Sequence, residues 1–189
     1  VLTFQVYLAL PLHAASLAPR HASALIAAMF AVSGVVAVAA QLRITGWFTQ
    51  RWGSSRSLVI GMTVVALSFV PLILLPDNRF GTGAASGALL VSTAVLAIGS
   101  AAVFPFEMDT VVALAGGRLV GTHYGFYSTI VGVGILAGNV AVGALVQAAA
   151  KHGAGALVWG ALTGIGLCCA AALRALARNG HLQHDADRQ

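Results

Sequence analysis

The sequence predicts an all-α membrane protein: a bundle of five complete transmembrane helices preceded by a truncated first one. Three observations predict it. Hydrophobic residues make up 59% of the chain and charged residues 8%, too few charges to cover the surface of a soluble domain of this length. The apolar residues fall in blocks of about 20, the length that crosses a hydrocarbon core. The blocks are apolar all round rather than along one stripe, as expected where lipid supplies the burial.

Residues 1–12 are apolar but too short to span, and read as the end of a helix whose beginning is missing. A buried re-entrant segment is the alternative. The chain starts directly in apolar sequence, Val1-Leu2-Thr3-Phe4, with no initiator Met and no basic leader, so it reads as a partial protein. Residues 22–42 form the first full span, with no internal charge. Residues 57–76 form the second, closed by Pro71 and Pro76. Residues 86–106 form the third, closed by Phe104-Pro105-Phe106. Residues 124–149 and 154–175 form the fourth and fifth. Residues 1–176 are thus one transmembrane domain. The polar stretch 177–189 has no periodic apolar face and reads as a disordered tail.

The ten Lys and Arg residues orient the bundle. Arg20, Arg79 and Lys151 lie on one set of connections. Arg43, Arg51, Arg56, Arg118, Arg174, Arg178 and Arg188 lie on the other. The positive-inside rule puts the second set, 43–56, 107–123 and the C-terminus, in the cytoplasm of a plasma-membrane protein. The net charge of +5 does not indicate nucleic acid, because the basic residues sit between apolar blocks and form no continuous face. The sequence indicates no cofactor and no metal. Cys168 and Cys169 read as small buried hydrophobes, and His181 and His184 have no third ligand near them.

Charges at membrane depth are costly and mark function. Glu107 and Asp109 are the candidates, just past Pro105. Two residues apart on a helix is about 200°, so at most one faces a common cavity. Glu107 shares a face with Phe104, and the other acid would pair with a base such as Arg43 or Arg118. Gln5 and Tyr7 in the front segment are further pathway candidates, with Phe4, Tyr7 and Pro11 on one face and Gln5 off it. Tyr124, Phe126, Tyr127, Trp47 and Trp52 read as interfacial belt residues. Asn139, mid-span, is suited to bonding a neighbouring helix.

Gly46-Trp-Phe-Thr-Gln-Arg51-Trp-Gly53-Ser-Ser-Arg56 joins two spans through a tight basic turn. It resembles the signature loop of the major facilitator superfamily, Gly-x-x-x-Asp-Arg-x-Gly-Arg-Arg, in the copy between helices 8 and 9. Gly46, Arg51, Gly53 and Arg56 fit, and Gln50 stands where the family often has Asp. Arg118-Leu-Val-Gly121-Thr-His-Tyr-Gly125 is similar to the family's entry into helix 11. Gly132, Gly134, Gly138 and Gly143 resemble its glycine-rich pivot helix. Gly134 and Gly138 share a face that would let a neighbour approach closely. Phe4-Gln5-Val-Tyr7-Leu-Ala-Leu-Pro11 looks like the outer end of helix 7. The resemblance covers residues 1–176 and implies the C-terminal six-helix half of a transporter of the drug/proton antiporter kind. It further implies alternating access, a small-molecule substrate, a cytoplasmic gating loop, and either a missing N-terminal half or a second copy as partner within the lipid bilayer.

Enzyme classes find no support. Ser33-Gly34 lacks the preceding Gly of an intramembrane serine protease, no His lies inside the five spans, and His-Glu-x-x-His is absent. A non-transporting scaffold or an inactive truncated transporter remains the alternative to a working transporter.

Overall fold

The computed structural model describes residues 2–75, 77–114, 119–152 and 154–178, with side chains except those of 40–42, 44–55, 77–80, 109–110 and 113–114. All its regular elements are helical. A 3-10 turn, Leu2–Val6, leads into α1 (Ala9–Leu17), followed by α2 (Ala22–Leu67), α3 (Val70–Leu74), α4 (Asp77–Leu114), α5 (Val120–Lys151) and α6 (Gly155–Arg178). Five stretches are long and apolar enough to cross a membrane: Ala22–Ala39, Arg56–Leu74, Gly81–Met108, Val120–Lys151 and Gly155–Arg178. Helices are the expected outcome, because hydrocarbon offers backbone N–H and C=O groups no partner and an α-helix pairs them internally.

The run of helical residues in α2 contains two of these spans, and it is not one straight rod. The Cβ position of Gly166 lies 3.0 Å from Leu2 and 2.6 Å from Ala66. Tyr7, five residues after Leu2, stacks on Phe30 at 5.8 Å. Five residues reach at most about 18 Å, whereas the 36 positions from Phe30 to Ala66 would span about 54 Å of straight helix. The chain therefore reverses between Phe30 and Ala66 and forms two arms.

The second arm is the centre of the bundle. It runs antiparallel to α4, since Gly61 meets Ala102 and Val103 while Gly99 meets Val64 and Val65. A Cβ on Gly61 would lie 2.8 Å from Val103 Cγ2, and one on Gly99 would lie 2.8 Å from the Val65 backbone nitrogen. On its other side, Ala66 packs against Gly166 of α6. Small residues of this kind let membrane helices approach until dispersion holds them. Phe69, Met29, Leu89, Leu96, Phe106 and Leu162 fill the remaining core. Phe69 stacks on Trp159 at 6.2 Å, and His13 meets the same indole edge-on at 5.2 Å.

Hydroxyls inside the helices bond backward to their own turns. Thr63, Thr93, Ser100, Thr129 and Thr163 each donate to the carbonyl four residues earlier, at 2.7–2.9 Å. Each hydroxyl is thereby satisfied without leaving its helix.

Several expectations need correction. The front segment runs further than residues 1–12. It is a 3-10 turn followed by α1, which continues to Leu17. Pro11 lies in the first turn of α1, where the missing N–H has no intrahelical acceptor to lose. Pro71 lies near the end of the Arg56–Leu74 span, where it also opens α3 at a first-turn position. Pro105 does not close the third span, because α4 carries through it to Leu114. The helical geometry of α4 is instead interrupted at Gly81, whose φ of 76° suits a residue without Cβ. Gly134 has open space where a close neighbour was expected, and Gly138 is half-buried. Cys168 and Cys169 are exposed on α6 rather than buried.

The tight contact between the second arm of α2 and α4 predicts an asymmetry among the glycines. Gly99→Val should destabilise the folded chain by about 1–3 kcal/mol, since its Cβ meets backbone that cannot step aside. Gly143→Ala, with nothing within 4 Å, should leave stability unchanged. Thermal unfolding of the two variants in detergent makes the comparison; matching melting curves would mean that the helices are not in close contact there.

Candidate functional site

A cleft of about 710 Å³ opens between the front segment, the first arm of α2, α4 and α5. Its longest wall is a stripe on α4: Leu96, Ala97, Ser100, Ala101, Phe104 and Glu107. These positions recur every three to four residues and so fall on one helical face. From Leu96 to Glu107 the wall runs about 17 Å. α5 supplies the facing stripe, Tyr124, Tyr127, Ser128, Val131, Gly132 and Ile135, with the same recurrence. Ser33 and Ala37 come from the first arm of α2, and Thr3, Phe4, Val6 and Tyr7 from the front segment.

Glu107 lies in the Gly81–Met108 span and is half-buried. A carboxylate within an apolar span is unfavourable unless it finds donors. Its donor is Tyr127 on α5, whose Oη gives a hydrogen bond to Oε2 at 3.0 Å. Two residues earlier, Pro105 has no N–H to offer the carbonyl of Ala101. Ala101 lines the cleft, so the weakened turn and the carboxylate belong to the same wall. Phe104, one turn before Glu107, is 55% exposed and faces the cleft.

The front segment divides its side chains in two. Phe4 and Tyr7 face the cleft with ring centroids 6.1 Å apart, and Tyr7 is 66% exposed. Gln5 turns the other way. It is fully buried, does not line the cleft, and donates from Nε2 to Asn139 Oδ1 of α5 at 3.4 Å. Asn139 thus bonds a neighbouring element, as its mid-span position suggests.

The structure brings Tyr7, Phe104 and Glu107 to one cleft and places Gln5 behind its wall. The side chain of Asp109 lies outside the described residues, as do those of Gly46, Arg51 and Gly53 in the basic loop and the whole of Arg118. Arg43 and Arg56 are exposed. Gly134 lines the cleft. Tyr124 and Tyr127 correct the sequence reading: both line the cleft instead of forming an interfacial belt, while Phe126 between them is 69% exposed and lies off the lining. The signal that could have found them is the stripe Tyr124/Tyr127/Ser128, where hydroxyls recur at helical spacing in an otherwise apolar span. Among the described residues, no three His, Cys, Asp or Glu side chains gather as a metal site would require.

A family model described as Major Facilitator Superfamily matches residues 2–187. Two curated relatives, uncharacterized MFS-type transporters of Mycobacterium tuberculosis strains CDC 1551 and H37Rv, are each 57% identical over 176 residues. The alignment covers 93% of this chain and 42% of each relative. The chain therefore spans less than half the length of the curated relatives it matches. No solved structure matches it.

The cleft predicts a pattern of chemical access. In a background with Cys168 and Cys169 replaced by Ala, Ser33→Cys and Ser128→Cys should react with a water-soluble methanethiosulfonate. Ser92→Cys, fully buried on α4, should not. Mass spectrometry of the labelled protein reads the outcome; protection of both cleft positions would mean that water does not enter.

Proposed function

The chain belongs to the major facilitator superfamily, and on that premise we propose that its cleft is the substrate pathway of a secondary transporter. The observation that carries this reading is the Glu107 carboxylate. It sits in the last turn of the Gly81–Met108 span, on a cleft wall, bonded to Tyr127 of the facing helix. An ionisable group held in that way is suited to exchange a proton or a substrate contact as the cleft changes its opening.

In this reading the chain is the C-terminal six-helix half of a drug/proton antiporter-like protein in the plasma membrane. It works by alternating access with proton coupling, together with an N-terminal half or a second copy. When Glu107 is ionised it accepts the Tyr127 hydroxyl and ties α4 to α5. When Glu107 is protonated that tie weakens, because a neutral carboxyl is a poorer acceptor than a carboxylate. The two helices then separate more readily, which couples proton occupancy to the cleft. Gly46, Arg51, Gly53 and Arg56 would form the cytoplasmic gating loop, and the C-terminus would lie on the same side.

Two measurements test the proposal. Glu107→Gln should abolish proton-coupled flux in proteoliposomes of the transporter while leaving membrane insertion intact, and Asp109→Asn should reduce it only mildly. Near-normal flux in both would remove Glu107 from the mechanism. For orientation, Ser54→Cys in the Cys-free background should be labelled by an impermeant maleimide only from the cytoplasmic side. Labelling from outside would reverse the topology.

A further inference from the structure

Away from the cleft, the second arm of α2 packs on α6, and the outer flank of that pair carries positive charge. The two helices run antiparallel: Ala66 meets Gly166, while Phe69, further along α2, stacks on Trp159, further back along α6. From the Ala66–Gly166 contact, Arg56 lies as far back along α2 as Leu176 lies forward along α6. Arg174 and Arg178 stand on either side of Leu176, each about 3 Å from it along the axis. Three exposed arginines thus share one depth on two helices in close contact.

They also share one side. Each residue turns the helix by about 100°, so Arg56 stands about 80° round α2 from Ala66 and about 180° from Val65. Val65 meets Gly99 of α4, so Arg56 points away from α4. Arg174 and Arg178 stand about 80° and 120° round α6 from Gly166. Because the helices are antiparallel, these rotations bring all three arginines to the same flank of the pair. Ile60 and Leu67 of α2 and Leu167 and Ala171 of α6 fall at similar helical angles and continue the flank as an apolar groove. Leu67 is 47% and Leu167 41% exposed, so the groove is open along its length.

The charge has no carboxylate to meet it among the described side chains. Glu107 is the one acid among them, and it is bonded to Tyr127 in the cleft. Guanidinium forks match phosphate oxygens, and a groove beneath them suits hydrocarbon. A zwitterionic headgroup would bring an ammonium against three arginines. Free phosphate would leave the groove bare.

We propose that Arg56, Arg174 and Arg178 hold the phosphate of one anionic phospholipid, with an acyl chain lying along the groove between α2 and α6. The lipid belongs to the leaflet at that end of the bundle, the cytoplasmic one in the orientation proposed above. It clamps α6 to the second arm beyond the reach of the Ala66–Gly166 contact. The site is separate from the cleft and stands whether or not the cleft carries substrate.

The test is a titration of the purified, delipidated chain in neutral detergent, with bound adducts counted by native mass spectrometry. The probes are dioleoylphosphatidylglycerol, dioleoylphosphatidylcholine and inorganic phosphate. Phosphatidylglycerol should bind roughly tenfold or more tightly than phosphatidylcholine, and excess phosphate should not displace it. Arg56→Gln and Arg174→Gln should each weaken it about fivefold, and Arg174→Gln with Arg178→Gln about twentyfold. Arg43→Gln, which removes an exposed arginine outside the α2–α6 flank, should change it by less than about twofold. All these side chains are exposed, and melting curves check that each variant is folded. Equal affinity for the two lipids, or full phosphatidylglycerol affinity in the folded double variant, overturns the site. Displacement by inorganic phosphate makes it a free-anion site and overturns the lipid. A loss in Arg43→Gln as large as in the double variant reduces the effect to general surface charge and overturns it as well.

Discussion

The close approach of the second α2 arm to α4 on one side and α6 on the other is the contact on which the bundle depends. Lipid is as apolar as leucine, so burying more leucine between helices gains little. What holds the helices is dispersion at short range, and that requires backbones to come near each other. Gly61, Gly99 and Gly166 provide the room, and Ala66 and Val65 occupy it. Leu2 closes the same junction from the front, which anchors the first residues of the chain to its last helix. The position of Phe4 and Tyr7 in the cleft follows from that anchor.

The cleft joins two local irregularities that would each be unfavourable alone. Proline within a helix gives up a hydrogen bond, and a carboxylate at membrane depth gives up its water. In α4 they fall two residues apart, and the wall of the cleft receives both. The hydroxyl of Tyr127 replaces part of what Glu107 loses. This places the proline-weakened turn of α4 against a helix with little burial of its own, since only Val142 and Ala149 of α5 are buried among its described residues.

The five spans were legible in the sequence because each is a long apolar block, and length is what the membrane selects. Their ends were less so. Pro71 and Pro105 look alike as helix stops, but one opens α3 and the other lies inside α4. Proline removes one donor, and whether the helix survives depends on neighbours the sequence does not display. Glu107 and Phe104 could be found because charge and aromatic bulk stand out on α4. Tyr127 could not be assigned to Glu107, because the bond crosses between helices and α5 is predominantly apolar over most of its length. Periodicity points to a buried face only where the other face is polar. Gly134 has open space within this chain, and among the described glycines close approaches fall at Gly61, Gly99 and Gly166.

The inward-turned hydroxyls of Thr63, Thr93, Ser100, Thr129 and Thr163 have a mechanical consequence. Each is bonded to its own helix, so it forms no rivet to the next one. Where helices meet through glycine, alanine and valine alone, a small axial slide exchanges one set of dispersion contacts for a similar set and breaks no directional bond. Such an interface resists being pulled apart far more than it resists shear. Two cross-helix side-chain bonds, Gln5 to Asn139 and Tyr127 to Glu107, end on α5. They are about 18 Å apart along that helix, like two pins on one bar. On the proposed mechanism, releasing the Glu107 bond would leave α5 held at the Asn139 end, which would turn a proton-sized event into a lever arm.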